Sequence, residues 1–211
     1  FQIAVEIVRR YGGVFICDEV QTGFGRTGGK MFGIEHWNVQ PDLIQFAKAI
    51  TSGYFPLGGI GVSDEIAAVM NDSGSPWMHA YTYSSHPVGC AVALAMLEII
   101  EKEDFVGQAE RKGKRLLVKL KEALSDHPNV GDVRGLGMMC AVEYVQDRGT
   151  REPFDAKENI GARIHVETVE RGMFSRTRGD VYCIAPPIVT EESTIDEIAE
   201  ILAASTQVVL G

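Results

Sequence analysis

Apolar and polar residues follow one another along this chain in changing rhythms, and each change marks an element. Residues 1–11 carry a helical period that halts at Gly12-Gly13. Val14-Phe15-Ile16-Cys17 is an unbroken apolar run, the pattern of a parallel strand covered on both faces, and it ends at Asp18. A second short buried strand is predicted at Leu43-Ile44-Gln45-Phe46-Ala47, followed at once by Lys48 and then by small residues, Gly and Pro that signal turns. Leu57-Gly58-Gly59-Ile60-Gly61-Val62-Ser63 reads as a third strand, with glycines where another backbone or a ligand comes close. Ser63 or Asp64 then caps a helix over 65–70. Residues 71–76 are loop by composition, and Trp77-Met78-His79-Ala80 leads onward.

From His86-Pro87 a strongly apolar helix is predicted through Val92, Leu94, Met96, Leu97 and Ile100, with most of its surface buried. The next helix, about 104–124, is amphipathic: Phe105, Leu116, Leu117, Leu120 and Leu124 share one face, with Arg111, Lys112, Lys114, Lys119 and Lys121 largely opposite. The cations read as a solvated face. His127-Pro128-Asn129 breaks this helix, and residues 130–145 open a smaller α+β domain, so the chain divides into 1–105 and 106–211. A polar loop at 148–155, a helix over 157–171 closed by Gly172, and a strand over 181–185 ahead of Pro186-Pro187 follow. A last helix, capped by Thr190-Glu191-Glu192, carries Ile195, Ile198 and Ile201.

Chemistry gathers at two of the strand ends. A lone lysine after a strand ordinarily snorkels to solvent. A desolvated lysine is instead a nucleophile that forms a Schiff base with a carbonyl. Asp18 ends the other strand, and ligands of open α/β sheets sit beyond the carboxyl ends of strands. An aspartate there is either a turn residue or a partner able to keep a pyridine nitrogen protonated. Gly23-Phe24-Gly25-Arg26-Thr27-Gly28 matches a dinucleotide-binding turn in form, but no helical stripe follows it, which sets that reading aside. A flexible loop at the mouth of a site fits better, with Arg26 facing a substrate or partner or standing as an exposed structural arginine. His79 and His86 lack a Cys, Asp or second His at metal-ligand spacing, so hydrogen-bonding roles are expected and no metal.

Composition narrows the function classes. A net charge of −9 over 211 residues argues against a nucleic-acid surface. No long apolar span or signal peptide is visible, and Cys17, Cys90, Cys140 and Cys183 are dispersed without a CxxC pair. Reduced thiols in the core of a cytoplasmic protein are the expectation.

Asp18-Glu19-Val20-Gln21, the Gly23–Gly28 run, Pro41-Asp42 and Ala47-Lys48-Ala49-Ile50-Thr51-Ser52-Gly53, in this order, resemble the class III (omega-type) pyridoxal-phosphate aminotransferases. The resemblance implies a fold-type I α/β protein: part of a large, mostly parallel-sheet domain, then a small α+β domain. It implies pyridoxal phosphate bound through a Schiff base to Lys48, with Asp18 on the pyridine nitrogen, Val20 against the ring face and Gln21 near the ring hydroxyl. Tyr81-Thr82-Tyr83-Ser84-Ser85-His86-Pro87 resembles the segment whose threonine, here Thr82, bonds the cofactor phosphate of a neighbouring subunit; the family usually has Gly where Ser85 stands. Met173-Phe174-Ser175-Arg176-Thr177-Arg178-Gly179-Asp180 resembles the segment whose arginine grips a substrate carboxylate, with Arg176 aligning best and Arg178 second. The implied activity moves an amino group from an amine or omega-amino acid to a keto acid such as pyruvate, in a homodimer or larger homo-oligomer. Related chemistry stays open: 4-aminobutyrate, ornithine-type or aminomutase reactions. So does an inactive fragment, since the resemblance covers only the C-terminal half of the family's length, without its phosphate-binding loop.

Overall fold

A computed structural model describes residues 1–74 and 79–211; the end of the loop expected at 71–76, and Trp77 and Met78, lie outside the described residues. The chain forms two compact units, one of Phe1–Arg26 and Lys30–Val106, the other of Thr27–Gly29 and Gly107–Gly211.

In the first unit, helix α1 (Gln2–Arg10) stops where the glycines require, with Gly12 left-handed at φ 70°. Strands β1 (Ile16–Asp18), β2 (Leu43–Phe46) and β3 (Gly59–Val62) pair in that order. β1 and β2 are parallel, as their apolar runs predict, while β3 joins antiparallel, so the sheet is mixed. Asp42 locks the start of this pairing. Its Oδ2 accepts the Phe15 N–H at 2.7 Å and its Oδ1 accepts from the Arg9 guanidinium at 3.0 Å, tying α1, β1 and β2 together. The glycines of β3 have a steric reason: a Cβ at Gly59 would lie 2.6 Å from the Phe46 ring, and one at Gly61 2.7 Å from Ile44 Cγ2.

That face of the sheet is filled, and the other is not. Phe15 and Cys17 pack with Val5, Ile34 and Val39. Ile16 and Ile60, which the pleat sends the other way, are 59% and 61% exposed. The expected cover on both faces is therefore found on one only. The same holds for helix α3 (Pro87–Lys102): Ala93 and Ile100 enter a cluster with Phe24, Ile50, Phe46, Met96 and Leu97, but Leu94 and Ile99 face outward. An apolar helix has more greasy surface than one neighbour can cover. Helix α2 (Asp64–Asp72) is capped by Ser63, whose Oγ accepts the Ile66 N–H.

In the second unit, helix α4 (Phe105–Leu124) buries Ala109, Gly113, Leu116, Leu120 and Leu124. Strands β4 (Val130–Leu136), β5 (Met139–Tyr144), β6 (Arg176–Arg178) and β7 (Val181–Ile184) form an antiparallel sheet in the order β4-β5-β7-β6. Helices α5 (Ile160–Glu170) and α6 (Glu192–Leu210) complete the unit. Glu191 takes the N-cap position of α6 without a side-chain capping bond. Two buried tyrosines satisfy their hydroxyls inside this core: Tyr144 with Thr206 at 2.8 Å and Tyr182 with Thr168 at 2.6 Å. Thr27 and Gly28 also pack here, since a Cβ at Gly28 would lie 2.6 Å from the Glu110 backbone and one at Gly137 2.2 Å from the Thr27 carbonyl carbon.

The Asp42 latch gives a stability prediction. Asp42→Ala leaves the Phe15 N–H without its charged acceptor and is expected to lower the unfolding free energy by about 2 kcal/mol, read as a shifted denaturation midpoint at unchanged m-value.

Candidate active site

The site is built from the ends of two strands. In the β1–β2 register Asp18 is the partner of Gln45; β1 stops there, and β2 runs one residue further to Phe46. Ala47 then turns the backbone, and Lys48 opens a short 3-10 helix, Lys48–Ile50. The parallel pairing thus brings a carboxylate and an amine to the carboxyl ends of neighbouring strands, the edge where such sheets bind ligands.

The backbone at this edge is held in uncommon conformations. Lys48 has φ 48° and Ser52 φ 50°, in the left-handed region that residues other than Gly rarely occupy. Packing holds the turn in place: Ile50 is buried with Ala49 beside it in the cluster that includes Ala93, and Thr51 Oγ1 donates to the Phe55 carbonyl at 2.6 Å. Residues kept in such conformations cluster at functional sites. Lys48 itself is exposed, so of the two readings open in the sequence the structure supports the solvent-reaching amine over the desolvated one. The apolar cluster holds Ala49 and Ile50, while Lys48 stands outside it.

Asp18 is exposed, and its Oδ1 accepts the Val20 N–H at 3.0 Å. Val20 is half-buried and Gln21 exposed in the turn that follows. Thr82 stands exposed in a turn before α3, whose conformation is set by its neighbours: Ser84 N–H donates to the Tyr81 carbonyl at 3.0 Å and Tyr81 N–H to Ser84 Oγ at 3.1 Å. Ser85 has φ 57°, which supplies the physical reason a glycine suits that position. His86 caps α3, its Nδ1 accepting the Val88 N–H at 3.2 Å, and His79 Nε2 lies 3.1 Å from the Tyr81 hydroxyl. Both histidines thus have hydrogen-bonding roles. No cluster of His, Cys, Asp and Glu among the described residues is arranged to hold a metal ion.

Arg176 belongs to the second unit, on the outer strand β6. Thr177 is the partner of Tyr182, so Arg176 and Arg178 share the opposite, exposed side of the strand. The strand geometry gives both guanidinium groups the same outlook.

The glycine run after Asp18 differs from the flexible loop expected. Gly23, Phe24 and Gly25 are buried, with Phe24 at φ 58° and its ring edge-on to Phe32 and Phe46. No α-helix opens directly after Gly28; the next element is a short 3-10 helix, Gly33–Trp37. Arg26 is half-buried rather than exposed, and burial lowers the pKa of its guanidinium.

One residue at this edge was given no role from the sequence. Glu19, between two candidate cofactor contacts, is 1% exposed and accepts from the Gly33 N–H at 2.9 Å and the Ile34 N–H at 2.6 Å. The only advance signal was an acid next to a strand-ending aspartate. Burial, then the neighbouring Glu19, raise the Cys17 thiol to a pKa of about 11. Cys140 is buried and Cys17 and Cys183 partly so, but Cys90 is exposed, against the expectation of four core thiols.

A family model described as aminotransferase class-III matches residues 1–205. The chain is 42% identical over 193 residues to the putrescine–pyruvate aminotransferase of Pseudomonas aeruginosa, a match covering 92% of this chain and 42% of that protein. It is 41% identical over 197 residues to the diaminobutyrate–2-oxoglutarate transaminase of Halomonas elongata, covering 91% of this chain and 42% of that protein. Among solved structures, an (S)-enantioselective omega-transaminase from Thermomicrobium roseum superposes with a TM-score of 0.92 at 44% identity, over 99% of this chain and 46% of that one. The chain therefore spans less than half the length of these relatives.

Two outcomes follow from the geometry. Ser85→Gly relieves a left-handed residue at an exposed position and is expected to raise stability by about 0.5–1 kcal/mol, seen as a higher thermal midpoint. With iodoacetamide at neutral pH, Cys90 of this chain is expected to be alkylated first, and Cys17 and Cys140 only on unfolding, because both thiols are held protonated.

Proposed function

The chain belongs to the class III aminotransferases, on the fold-type I framework, and from that premise we propose that it carries the lysine-bearing part of a pyridoxal-phosphate site in an enzyme that moves an amino group from an amine or omega-amino acid to a keto acid. The observation that carries the reading is the placement of Lys48 and Asp18 at the ends of adjacent parallel strands. The donor set suits the cofactor: an exposed primary amine, a carboxylate across from it in the strand order, and a threonine hydroxyl on an exposed turn.

Pyridoxal phosphate, when bound, supplies a carbonyl that captures an amine and a ring that takes up electrons. Asp18, whose carboxylate accepts the Val20 N–H, would hold a proton on the ring nitrogen. Lys48 Nζ serves first as the nucleophile that holds the cofactor. With the cofactor held on the substrate instead, Lys48 Nζ would be the base placed to take up and return a proton at the donor carbon. The half-buried Val20 would pack on the ring face, and the exposed Gln21 would bond the ring hydroxyl.

Thr82 gives its hydroxyl to the phosphate held by a neighbouring subunit, which makes the working form a homodimer or larger. Arg176 takes a substrate carboxylate with its planar fork. Pyruvate is the proposed acceptor, a choice that the name of the Pseudomonas aeruginosa relative supports.

The test is chemical mapping. After incubation with pyridoxal phosphate and reduction with borohydride, the cofactor adduct is expected on Lys48 and missing from Lys48→Ala, whose amino transfer to pyruvate falls by at least about 100-fold. An adduct confined to other lysines, in this chain and in a form as long as its relatives, overturns the assignment. A half-reaction with pyruvate separates transamination from intramolecular amino transfer, which needs no keto acid.

A further inference from the structure

Between the two residues read as cofactor contacts lies a carboxylate with a different task. Glu19 faces inward, and its two oxygens meet four donors: the Gly33 and Ile34 N–H groups, the Thr22 hydroxyl on Oε2, and the Cys17 thiol at 3.6 Å from Oε1. Its backbone is tied on both sides as well. The Glu19 N–H donates to the Gln45 carbonyl at 2.9 Å, and its own carbonyl accepts the Gly23 N–H at 3.0 Å. Gly33 is shaped to this contact, because a Cβ there would lie 3.2 Å from Oε2 and 3.1 Å from the Thr22 Cβ.

We propose that Glu19 is a positioning residue for the cofactor: it clamps the turn that carries Asp18, Val20 and Gln21, and so sets where the Asp18 carboxylate stands. The inference rests on the reading of Asp18 as partner of the ring nitrogen. Asp18 is exposed, and its carboxylate is bonded to the backbone N–H of Val20, two residues on. That bond fixes the carboxylate only as firmly as the Val20 backbone is fixed. Val20 follows Glu19 directly, and Glu19 is joined to β2 through Gln45 and to the 3-10 helix Gly33–Trp37 through its side chain. The buried clamp thus makes an exposed turn rigid. A carboxylate is needed because the surrounding groups are all donors. Glutamine of the same size offers one oxygen and turns its NH2 toward one of the two backbone N–H groups, which then loses its acceptor.

The test compares Glu19→Gln, Thr22→Val and Asp18→Asn with the parent protein, each at the length of its relatives. The readouts are the dissociation constant of pyridoxal phosphate, the pH midpoint of the bound cofactor's visible band, and the thermal midpoint of the cofactor-free protein. Asp18→Asn is expected to shift the band midpoint and weaken cofactor binding. Glu19→Gln is expected to shift both in the same direction, weakening binding about tenfold. Thr22→Val, which removes one donor and leaves the carboxylate, gives a smaller shift of cofactor affinity and band midpoint of the same sign, with a lowered thermal midpoint from the lost charge-assisted bond, and decides the matter by affinity and band midpoint if Glu19→Gln does not fold. A lowered thermal midpoint in Glu19→Gln or Thr22→Val with parental cofactor affinity and band midpoint overturns the positioning role and leaves Glu19 a structural residue. Parental values in Asp18→Asn overturn the premise about Asp18 instead, and the proposal falls with it.

Discussion

The parallel pairing of β1 with β2 is the constraint from which the rest of the site follows. Parallel neighbours end on the same edge, so two residues thirty positions apart in sequence, Asp18 and Lys48, meet at one end of the sheet only while the register Asp18 to Gln45 holds. Slipping that register by one residue would turn every side chain of β1 to the other face and remove the carboxylate from the edge. Asp42 guards the entry to the pairing and Glu19 its exit, both with carboxylates that accept backbone N–H groups. Short strands of three and four residues carry few ladder bonds, which is why side chains hold both ends.

Around this edge the chain accepts backbone conformations that most residues avoid. Phe24, Lys48, Ser52 and Ser85 are all left-handed: Phe24 lies in the glycine run, Lys48 and Ser52 in the lysine turn, and Ser85 in the threonine turn. Phe24 and the Lys48 turn share one apolar cluster with α3. Burial of Phe24, Ile50 and Ala93 opposes the strain locally, so packing chosen for the core also decides how the lysine is presented. The second unit follows a different logic. Its antiparallel sheet and helices satisfy buried tyrosine hydroxyls internally, and its candidate substrate contacts, Arg176 and Arg178, stand on an outer strand free of core packing.

Much of this was legible in the sequence because it depends on local rules. Apolar period and turn residues placed helices α1–α6 and strands β1, β2, β3 and β7, and the third strand's glycines do mark close approach, by the side chains of Phe46 and Ile44 rather than by a backbone or a ligand. The departure at Ser85 pointed to backbone geometry, and its left-handed φ explains it. Lys48 and Asp18 each close an apolar run, which the sequence shows by itself; that they work as a pair is what the resemblance to the class III aminotransferases implies, and the parallel register puts both strand ends on one edge.

What the sequence could not determine is which of its apolar and charged groups find neighbours. Ile16 and Leu94 look as buried as Cys17 and Ala93, yet the first pair faces out and the second packs. For Lys48 the sequence leaves a snorkelling and a desolvated amine both open, and the structure leaves it exposed; Glu19 carries no sequence signal of burial and is enclosed. The Gly23–Gly28 run looked mobile and is built into cores. Period is a property of the chain's own geometry, set by residues a few positions apart. Burial is decided by segments far away in sequence, as when Gly33 and Ile34 close over a carboxylate fourteen and fifteen positions earlier, and only the folded chain brings those donors to it.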